Sequence, residues 1–240
     1  MQTVWEKEYR LRGSDFDTFS RMMPSAVLDL FQDAACQHAE ELHVGFEELL
    51  QKGRLWVLTR VKFQILENVS PYTAVRVKTW PLKPNRFSYR REYLIEDRNG
   101  KPLIKGSSDW VVIDCNERKM VSAPDLYPFT EGFCEEEMFE EKIRKVSDFE
   151  ASGEPYTVRT AFCDLDRNGH VNNTKYANFI MNALCPEKEK RLTAFQIDYR
   201  KEVVSGEDLQ IFRQNGDGET LAKGLNDVGD VMFAARLIFE

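Results

Sequence analysis

Residues 24–45 read PSAVLDLFQDAACQHAEELHVG, and this stretch decides how the first half of the chain folds. Apolar residues recur at steps of three and four between Val27 and Leu42, which predicts one long helix with one apolar face. Pro24 suits the first turn of such a helix, and Gly45 suits its end. Because a lone helix can bury its apolar face only against another layer, the flanking sequence should supply a sheet.

The sequence on both sides of this helix has the alternating apolar and polar pattern of strands. A strand that opens at residues 9–12 precedes the helix, and a short helix at 46–52 follows it. Turn residues then separate four further strands, which we predict at residues 56–66, 73–80, 87–96 and 103–114. Because short turns join consecutive strands, the sheet should be antiparallel.

The second half of the chain repeats this order of elements. A strand at 156–161 leads to a helix that Pro186 ends, and strands follow at 192–200, 208–213, 220–225 and 231–239. The DFD of residues 15–17 aligns with the DLD of residues 164–166 at an offset of 149, and residues 58–59 align with 192–193 at an offset of 134. We therefore predict an α+β fold with two tandem repeats, each a helix wrapped by an antiparallel sheet, which is a double hot dog.

The repeats define the predicted domain organisation. Residues 1–130 form an N-terminal hot-dog domain and residues 155–240 a C-terminal one. The acidic linker at 131–154 should contain a short helix or a loop that crosses between the halves. Its charge run is typical of a solvated surface, so we assign it no chemistry.

The composition of the chain argues against several classes of protein. The formal net charge of −7 over 240 residues argues against nucleic-acid binding, which needs a basic face. No apolar run approaches the roughly 18 residues of a membrane span, and the charged N-terminus has no signal-peptide core. The five cysteines are scattered without a CxxC pair, which disfavours a disulfide framework or a zinc site. We therefore expect a cytoplasmic protein.

One segment concentrates polar groups just before the second long helix: residues 164–176, DLDRNGHVNNTKY. Asp166, Asn168 and His170 alternate there, and the helix start offers backbone N–H groups to an anionic oxygen. The residues alone leave two interpretations open, an active site or an Asx turn with a helix cap. Glu202 follows the next strand and is either a second catalytic carboxylate or a surface residue before a turn. No metal site and no cofactor are predicted.

Residues 164–176 closely resemble the signature of the acyl–acyl carrier protein thioesterases, which include the plant FatA and FatB types and bacterial relatives. The YRKE of residues 199–202 resembles that family's second motif, and residues 56–60 and 90–92 are also similar, in the same order. The resemblance implies a double hot dog that hydrolyses fatty acyl–acyl carrier protein, releases free fatty acid and ends chain elongation in fatty acid biosynthesis. It also implies a catalytic network, formed by Asp166, Asn168, His170 and Glu202.

One departure from the family pattern bears on the mechanism. The plant enzymes carry a cysteine directly after the glutamate of the second motif, and this chain has Val203 there. A thiol at that position is therefore not required. Cys163 precedes the first motif, and we expect it to be a packed core thiol. The nucleophile is then expected to be water, or Asp166 through an acyl-enzyme.

The repeat also predicts that the two halves have different functions. The offset of 149 places Phe19 over Asn168 and Arg21 over His170, so the first half should be catalytically silent. We expect this half to bind the acyl chain, although core packing explains the same residues. The predicted substrate-binding residues of the two halves are Met22, Met23, Val27, Asn172 and Asn173.

Carrier proteins are acidic, so an acidic enzyme needs a local basic patch to bind one. The best candidate in the sequence is a cluster interleaved with aromatic residues, although solvated surface is the alternative. Its members are Lys83, Arg86, Arg90 and Arg91.

Two other functions remain open at this point, a hot-dog thioesterase that acts on acyl-CoA and a non-catalytic hot-dog protein that binds acyl thioesters. The sequence favours a bacterial enzyme. It leaves open the acyl chain length and saturation, and whether the chain forms a homodimer.

Overall fold

The computed structural model describes residues 3–123 and 126–240, and it has three helices and ten strands in these ranges. The helices are α1 (Pro24–Glu41), α2 (Phe46–Gln51) and α3 (Lys175–Leu184). The strands of the first half are β1 (Trp5–Arg10), β2 (Arg54–Ile65), β3 (Ala74–Pro81), β4 (Tyr89–Glu96) and β5 (Pro102–Asp114). Those of the second half are β6 (Tyr156–Arg159), β7 (Leu192–Tyr199), β8 (Asp208–Asn215), β9 (Glu219–Leu225) and β10 (Val231–Phe239).

All ten strands form one antiparallel sheet in the order β1-β3-β4-β5-β2-β7-β10-β9-β8-β6. This order is symmetric about the centre of the sheet. Each strand of the first half lies as far from one edge as its repeat counterpart lies from the other, so that β1 matches β6 and β2 matches β7. The strands β3 and β8 match residue for residue at the predicted offset of 134. The prediction of a double hot dog is confirmed.

Helix α1 lies very close to the inner face of its half of the sheet. The ring of Phe31 stacks on Tyr93 with a centroid distance of 4.3 Å. It also covers Gly106 of β5, where a Cβ atom would lie only 2.1 Å from the Phe31 ring. A side chain at position 106 would therefore push the helix away from the sheet.

The two halves meet where β2 pairs with β7. The register places Phe63 opposite Phe195, and their rings stack with a centroid distance of 5.4 Å. On the outer face of the same pair, Arg60 Nε lies 3.5 Å from Asp198 Oδ1. Because this pairing continues the hydrogen-bonded ladder, the halves share one sheet rather than packing as separate domains.

The linker at 131–154 crosses the outer face of this sheet as an extended loop, without a helix in its described residues. Trp80 Nε1 donates to the Glu136 carbonyl at 2.8 Å, and the Val146 N–H donates to Asp198 Oδ2 at 2.8 Å. Ile143 and Val146 are buried against the sheet, whereas residues 135–137 are exposed. Of the two predicted forms, the loop is the one observed, and its acidic run is solvated as expected.

Among the described helices, none combines the length and the apolar character that crossing a bilayer requires.

Candidate active site

A tight turn displays the polar residues of the first motif. Asp166 Oδ1 accepts the backbone N–H of Asn168 at 2.8 Å and of His170 at 3.2 Å. The Asp166 N–H in turn donates to the His170 carbonyl at 2.7 Å. Gly169 lies at φ +79°, in the left-handed region that glycine adopts without steric cost. The aspartate therefore builds the turn that presents the amide and the imidazole.

The first half contains the same turn, built by Asp17. Its Oδ1 accepts the N–H groups of Phe19 at 2.8 Å and Arg21 at 2.9 Å, and its own N–H donates to the Arg21 carbonyl at 2.9 Å. The alignment at an offset of 149 is thus confirmed at the level of individual hydrogen bonds. The Asx-turn interpretation is confirmed for Asp166, and this turn places Asn168 and His170, whereas the active-site interpretation stays a prediction.

Glu202 reaches this turn from the end of β7. The Val171 N–H donates to the Val203 carbonyl at 2.7 Å and ties the two segments together. As a result His170 Nε2 lies 3.4 Å from Glu202 Oε2. The predicted approach of the strand end to the helix start is observed, and the four predicted residues line one cavity, namely Asp166, Asn168, His170 and Glu202.

Sequence reasoning missed a fifth residue at this place. Arg118, in the turn after β5, donates from Nη2 to Glu202 Oε2. The two residues are 84 positions apart and belong to different halves. No sequence pattern links them, because Arg118 lies at no position that the repeat or a motif marks.

The start of α3 offers fewer free N–H groups than the sequence suggested. The N–H of Val171 is bound to Val203, and the N–H of Asn172 donates to the Asp164 carbonyl at 2.8 Å. Asn173 is the one residue of 171–173 whose N–H has no hydrogen-bond acceptor within the described residues. Its carbonyl accepts the Tyr199 hydroxyl at 2.8 Å, which fixes the peptide.

Two tyrosines of the cavity wall are held in their protonated form. Burial raises the pKa of Tyr176, and the nearby charges of Glu207, Asp166 and Glu202 raise it further. Burial also raises the pKa of Tyr199 well above its ordinary value. Neither hydroxyl is therefore a base, and that of Tyr199 donates to the Asn173 carbonyl.

The cavity has a volume of about 920 Å³ and extends from the polar turn into the first half. One wall is a stripe of α1 at helical spacing, formed by Gln32, Ala35, Cys36 and Ala39. The opposite wall is aromatic, and its members are Trp56, Tyr89, Trp110 and Tyr127. Arg91 also lines the cavity, where its Nη1 donates to His38 Nδ1 at 3.0 Å and Thr79 Oγ1 at 3.3 Å.

The predicted acyl-binding residues of the first half are not in this wall. Met22 and Val27 are buried in the main core, and Met23 packs against that core. The face of α1 that contains Val27 packs in the core, whereas the face that contains Gln32 and Ala39 lines the cavity. The assignment of Met22, Met23 and Val27 to the pocket is therefore corrected. Asn172 and Asn173 do line the cavity.

The predicted docking cluster does not form one patch, because successive side chains of β4 point to opposite faces of the sheet. Lys83 and Arg86 are exposed in the loop before the strand. Arg90 points to the outer face, where its side chain pairs with Glu92 at 3.0 Å, and Arg91 is buried on the inner face. Successive residues of a strand point to opposite faces, so one patch cannot contain both. Arg91 is removed from the docking cluster because its guanidinium is inaccessible to a partner.

The cysteines are free thiols. The expectation that Cys163 packs in the core is wrong, because Cys163 is exposed in a short helical turn before Asp164. It is also absent from the cavity wall, whereas Cys36 is part of it.

Two family models match almost the whole chain. The acyl-ACP thioesterase N-terminal domain matches residues 2–127, and the acyl-ACP thioesterase C-terminal domain matches residues 146–237.

Relatives by sequence include two chloroplastic plant proteins. An acyl-[acyl-carrier-protein] hydrolase of Cuphea viscosissima is 27% identical over 216 residues, which are 83% of this chain and 52% of the relative. A palmitoyl-acyl carrier protein thioesterase of Arabidopsis thaliana is 25% identical over 225 residues, which are 86% of this chain and 54% of the relative. The chain therefore spans about half the length of these relatives.

Solved structures share the complete fold. An acyl-ACP thioesterase from Bacteroides thetaiotaomicron superposes with a TM-score of 0.85 at 23% identity, covering 99% of this chain and 98% of the other. The 12:0-ACP thioesterase from Umbellularia californica gives 0.84 at 20% identity, with 100% and 98% covered. At these identities the likeness shows the fold.

Proposed function

Because the chain belongs to the acyl-ACP thioesterase family, we propose that it hydrolyses the thioester of fatty acyl–acyl carrier protein and releases the free fatty acid. The observation that carries this proposal is one continuous cavity, with a carboxylate–imidazole pair at its mouth and aromatic walls inside. A thioester bound at the polar end would send its acyl chain into the first half. A long apolar pocket with a few convergent polar groups suits such a substrate.

Thioester hydrolysis needs an attacking oxygen, a base and a group that stabilises the oxyanion. Glu202 and His170 are the pair that activates water in our proposal, since their side chains lie 3.4 Å apart at the cavity mouth. The Asn168 amide and the Asn173 N–H receive the thioester oxygen. Val203 is fully buried and brings no nucleophile to the site. Attack by Asp166 through an acyl-enzyme is the alternative route.

Docking of the carrier protein is assigned to Lys83 and Arg86, since Arg90 of the predicted cluster is already paired with Glu92 and Glu137. Lys83 and Arg86 are exposed, and cationic side chains suit an acidic carrier. The pairing of Tyr89 with Trp110 and of Arg54 with Asp114 places their loop at the end of the sheet where β5 ends. The turn that contributes to the cavity mouth follows β5 directly.

We place the enzyme in the cytoplasm of a bacterium and in fatty acid synthesis, where it ends chain elongation. Five free thiols suit a reducing compartment.

The test is a panel of acyl thioesters of graded chain length, each offered on acyl carrier protein and on CoA, with free fatty acid as the readout. We expect the carrier-protein esters to be preferred. Asn168→Ala, His170→Ala and Glu202→Ala should each lower turnover by at least about a hundredfold. The control Glu117→Gln, at an exposed residue paired with Lys119, should leave turnover unchanged.

Preference for CoA esters would assign the chain to the acyl-CoA thioesterases instead. Binding of acyl thioesters without any hydrolysis would assign it to the non-catalytic binding proteins.

A further inference from the structure

Glu202 is held from two sides through a single oxygen atom. Its Oε2 accepts the Arg118 Nη2 donor and lies 3.4 Å from His170 Nε2. Rotation of the carboxylate away from the imidazole would therefore break the contact with Arg118 at the same time. Both Arg118 and Glu202 line the cavity.

The backbone turn that carries Arg118 is held by several hydrogen bonds. Asp114 Oδ1 accepts the N–H groups of Asn116 at 2.8 Å and Glu117 at 2.9 Å, and these bonds hold the pKa of Asp114 below its usual range. The Arg118 N–H donates to the Asp114 carbonyl at 3.0 Å. Arg118 itself has φ +54°, a left-handed conformation that is uncommon for a residue with a side chain. The turn thus directs this side chain out of the first half and toward the second.

We propose that Arg118, supplied by the N-terminal half, is a positioning residue that keeps the Glu202 carboxylate aimed at His170. The proposal rests on the hydrolytic function given above. It also means that the first half, although it lacks its own catalytic set, contributes to the active site of the second.

Three other segments of the chain bring titratable or charged groups close to Glu202. Arg118 approaches from the turn after β5, and His170 from the Asx turn. Tyr176 of α3 remains protonated partly because of the charge on Glu202. Arg118 is the one permanent cation among these neighbours. A charge-assisted hydrogen bond from a guanidinium fixes the orientation of a carboxylate, and here it would direct the oxygen that is to accept a proton from water.

The kinetic test compares Arg118→Gln, Arg118→Lys and the control Lys119→Gln, an adjacent exposed cation paired with Glu117. Each is assayed on an acyl-ACP and on an acyl-pantetheine of the same chain length. We expect Arg118→Gln to lower kcat about 10- to 100-fold on both substrates with little change in KM. Arg118→Lys should recover part of the loss, and Lys119→Gln should match the wild type. A loss seen only as a raised KM for acyl-ACP would make Arg118 a docking residue and overturn the proposal.

A second measurement does not depend on activity. The chain has 3 histidines, so the His170 ring resonances can be assigned by comparison with His170→Ala and compared between variants by NMR at one pH. Loss of the contact in Arg118→Gln should shift these resonances, because the Glu202 carboxylate is no longer held beside the imidazole, while Lys119→Gln leaves them in place. Unmoved resonances would refute the contact chain from Arg118 through Glu202 to His170, whether or not the wild type hydrolyses acyl thioesters. A wild type that hydrolyses neither ester, but shows the shift, would refute only the hydrolytic function.

Discussion

The twin turns built by Asp17 and Asp166 allow the turn-forming role of an aspartate to be separated from its chemical role. Replacing either aspartate by asparagine keeps an oxygen that can accept both backbone N–H groups but removes the charge. Bonds to a charged acceptor contribute about 1.5–3 kcal/mol and neutral ones about 0.5–1.5, so two bonds lose roughly 2 kcal/mol in either variant. For a chain of this size that loss corresponds to a fall in Tm of about 4–8 °C.

Asp17→Asn should be at least as destabilising as Asp166→Asn. Asp17 Oδ2 also accepts Arg21 Nε at 2.7 Å, a partly exposed pair that contributes up to about 1 kcal/mol. Turnover should show the opposite order. Asp17→Asn should remain within a few-fold of the wild type, and Asp166→Asn should fall by at least about a hundredfold.

The assay measures free fatty acid released from acyl-ACP under saturating substrate, together with thermal unfolding of both variants. If Asp166→Asn kept the turnover of Asp17→Asn, the charge of Asp166 would have no chemical role and its place in the catalytic network would be lost. If both variants lost turnover in proportion to their Tm, the effect would be one of stability.

Three further predictions follow from the cavity and the surface. Ala39→Phe should fill the wall of α1 and shift the products toward shorter fatty acids, whereas Met23→Leu, outside the cavity, should leave the profile unchanged; a shift in the second variant alone would move the acyl site. Cys163→Ser should keep near-normal turnover, because Cys163 is exposed away from the cavity wall, and loss of activity in the folded variant would contradict this. Charge reversal at Lys83 and Arg86 should raise KM for acyl-ACP and weaken its dependence on ionic strength, without changing the turnover of an acyl-pantetheine. Equal losses on both substrates would assign these residues to stability.

The order of helices and strands was readable from the chain because the signals are local. Each strand and helix shows its own period, and glycine, proline and asparagine mark the turns between them. The repeat could be read for the same reason. An Asx turn depends on residues within four positions of each other, so Asp17 and Asp166 produce the same turn in both halves.

The resemblance to one family added what local pattern could not, the grouping of Asp166, Asn168 and His170 with Glu202. The structure then places His170 and Glu202 in contact, since the Val171–Val203 bond ties their segments together. Periodicity alone could not decide whether Glu202 is a catalytic or a surface residue. The local sequence at the end of a strand does not indicate which distant residue will lie beside it.

The tertiary structure alone decided which face of each element meets the cavity. Helix α1 packs one face, through Val27, in the core and lines the cavity with another, through Ala39. Side chains along β4 alternate between the two faces of the sheet, so Arg90 and Arg91 must point to opposite faces. The sequence pattern does not say which of these faces is covered by another layer. That choice is made by the layers that pack on the sheet, α1 on one side and the linker on the other.

The contact between Arg118 and Glu202 is the clearest example of a feature that the sequence pattern could not predict. It spans 84 residues and joins the two halves, and it exists because β2 pairs with β7 and places the end of β5 beside the end of β7. The sequence determines the repeat within each half through short-range periodicity. The meeting of the halves depends on hydrogen bonds between strands more than a hundred residues apart, and these leave no period in the chain.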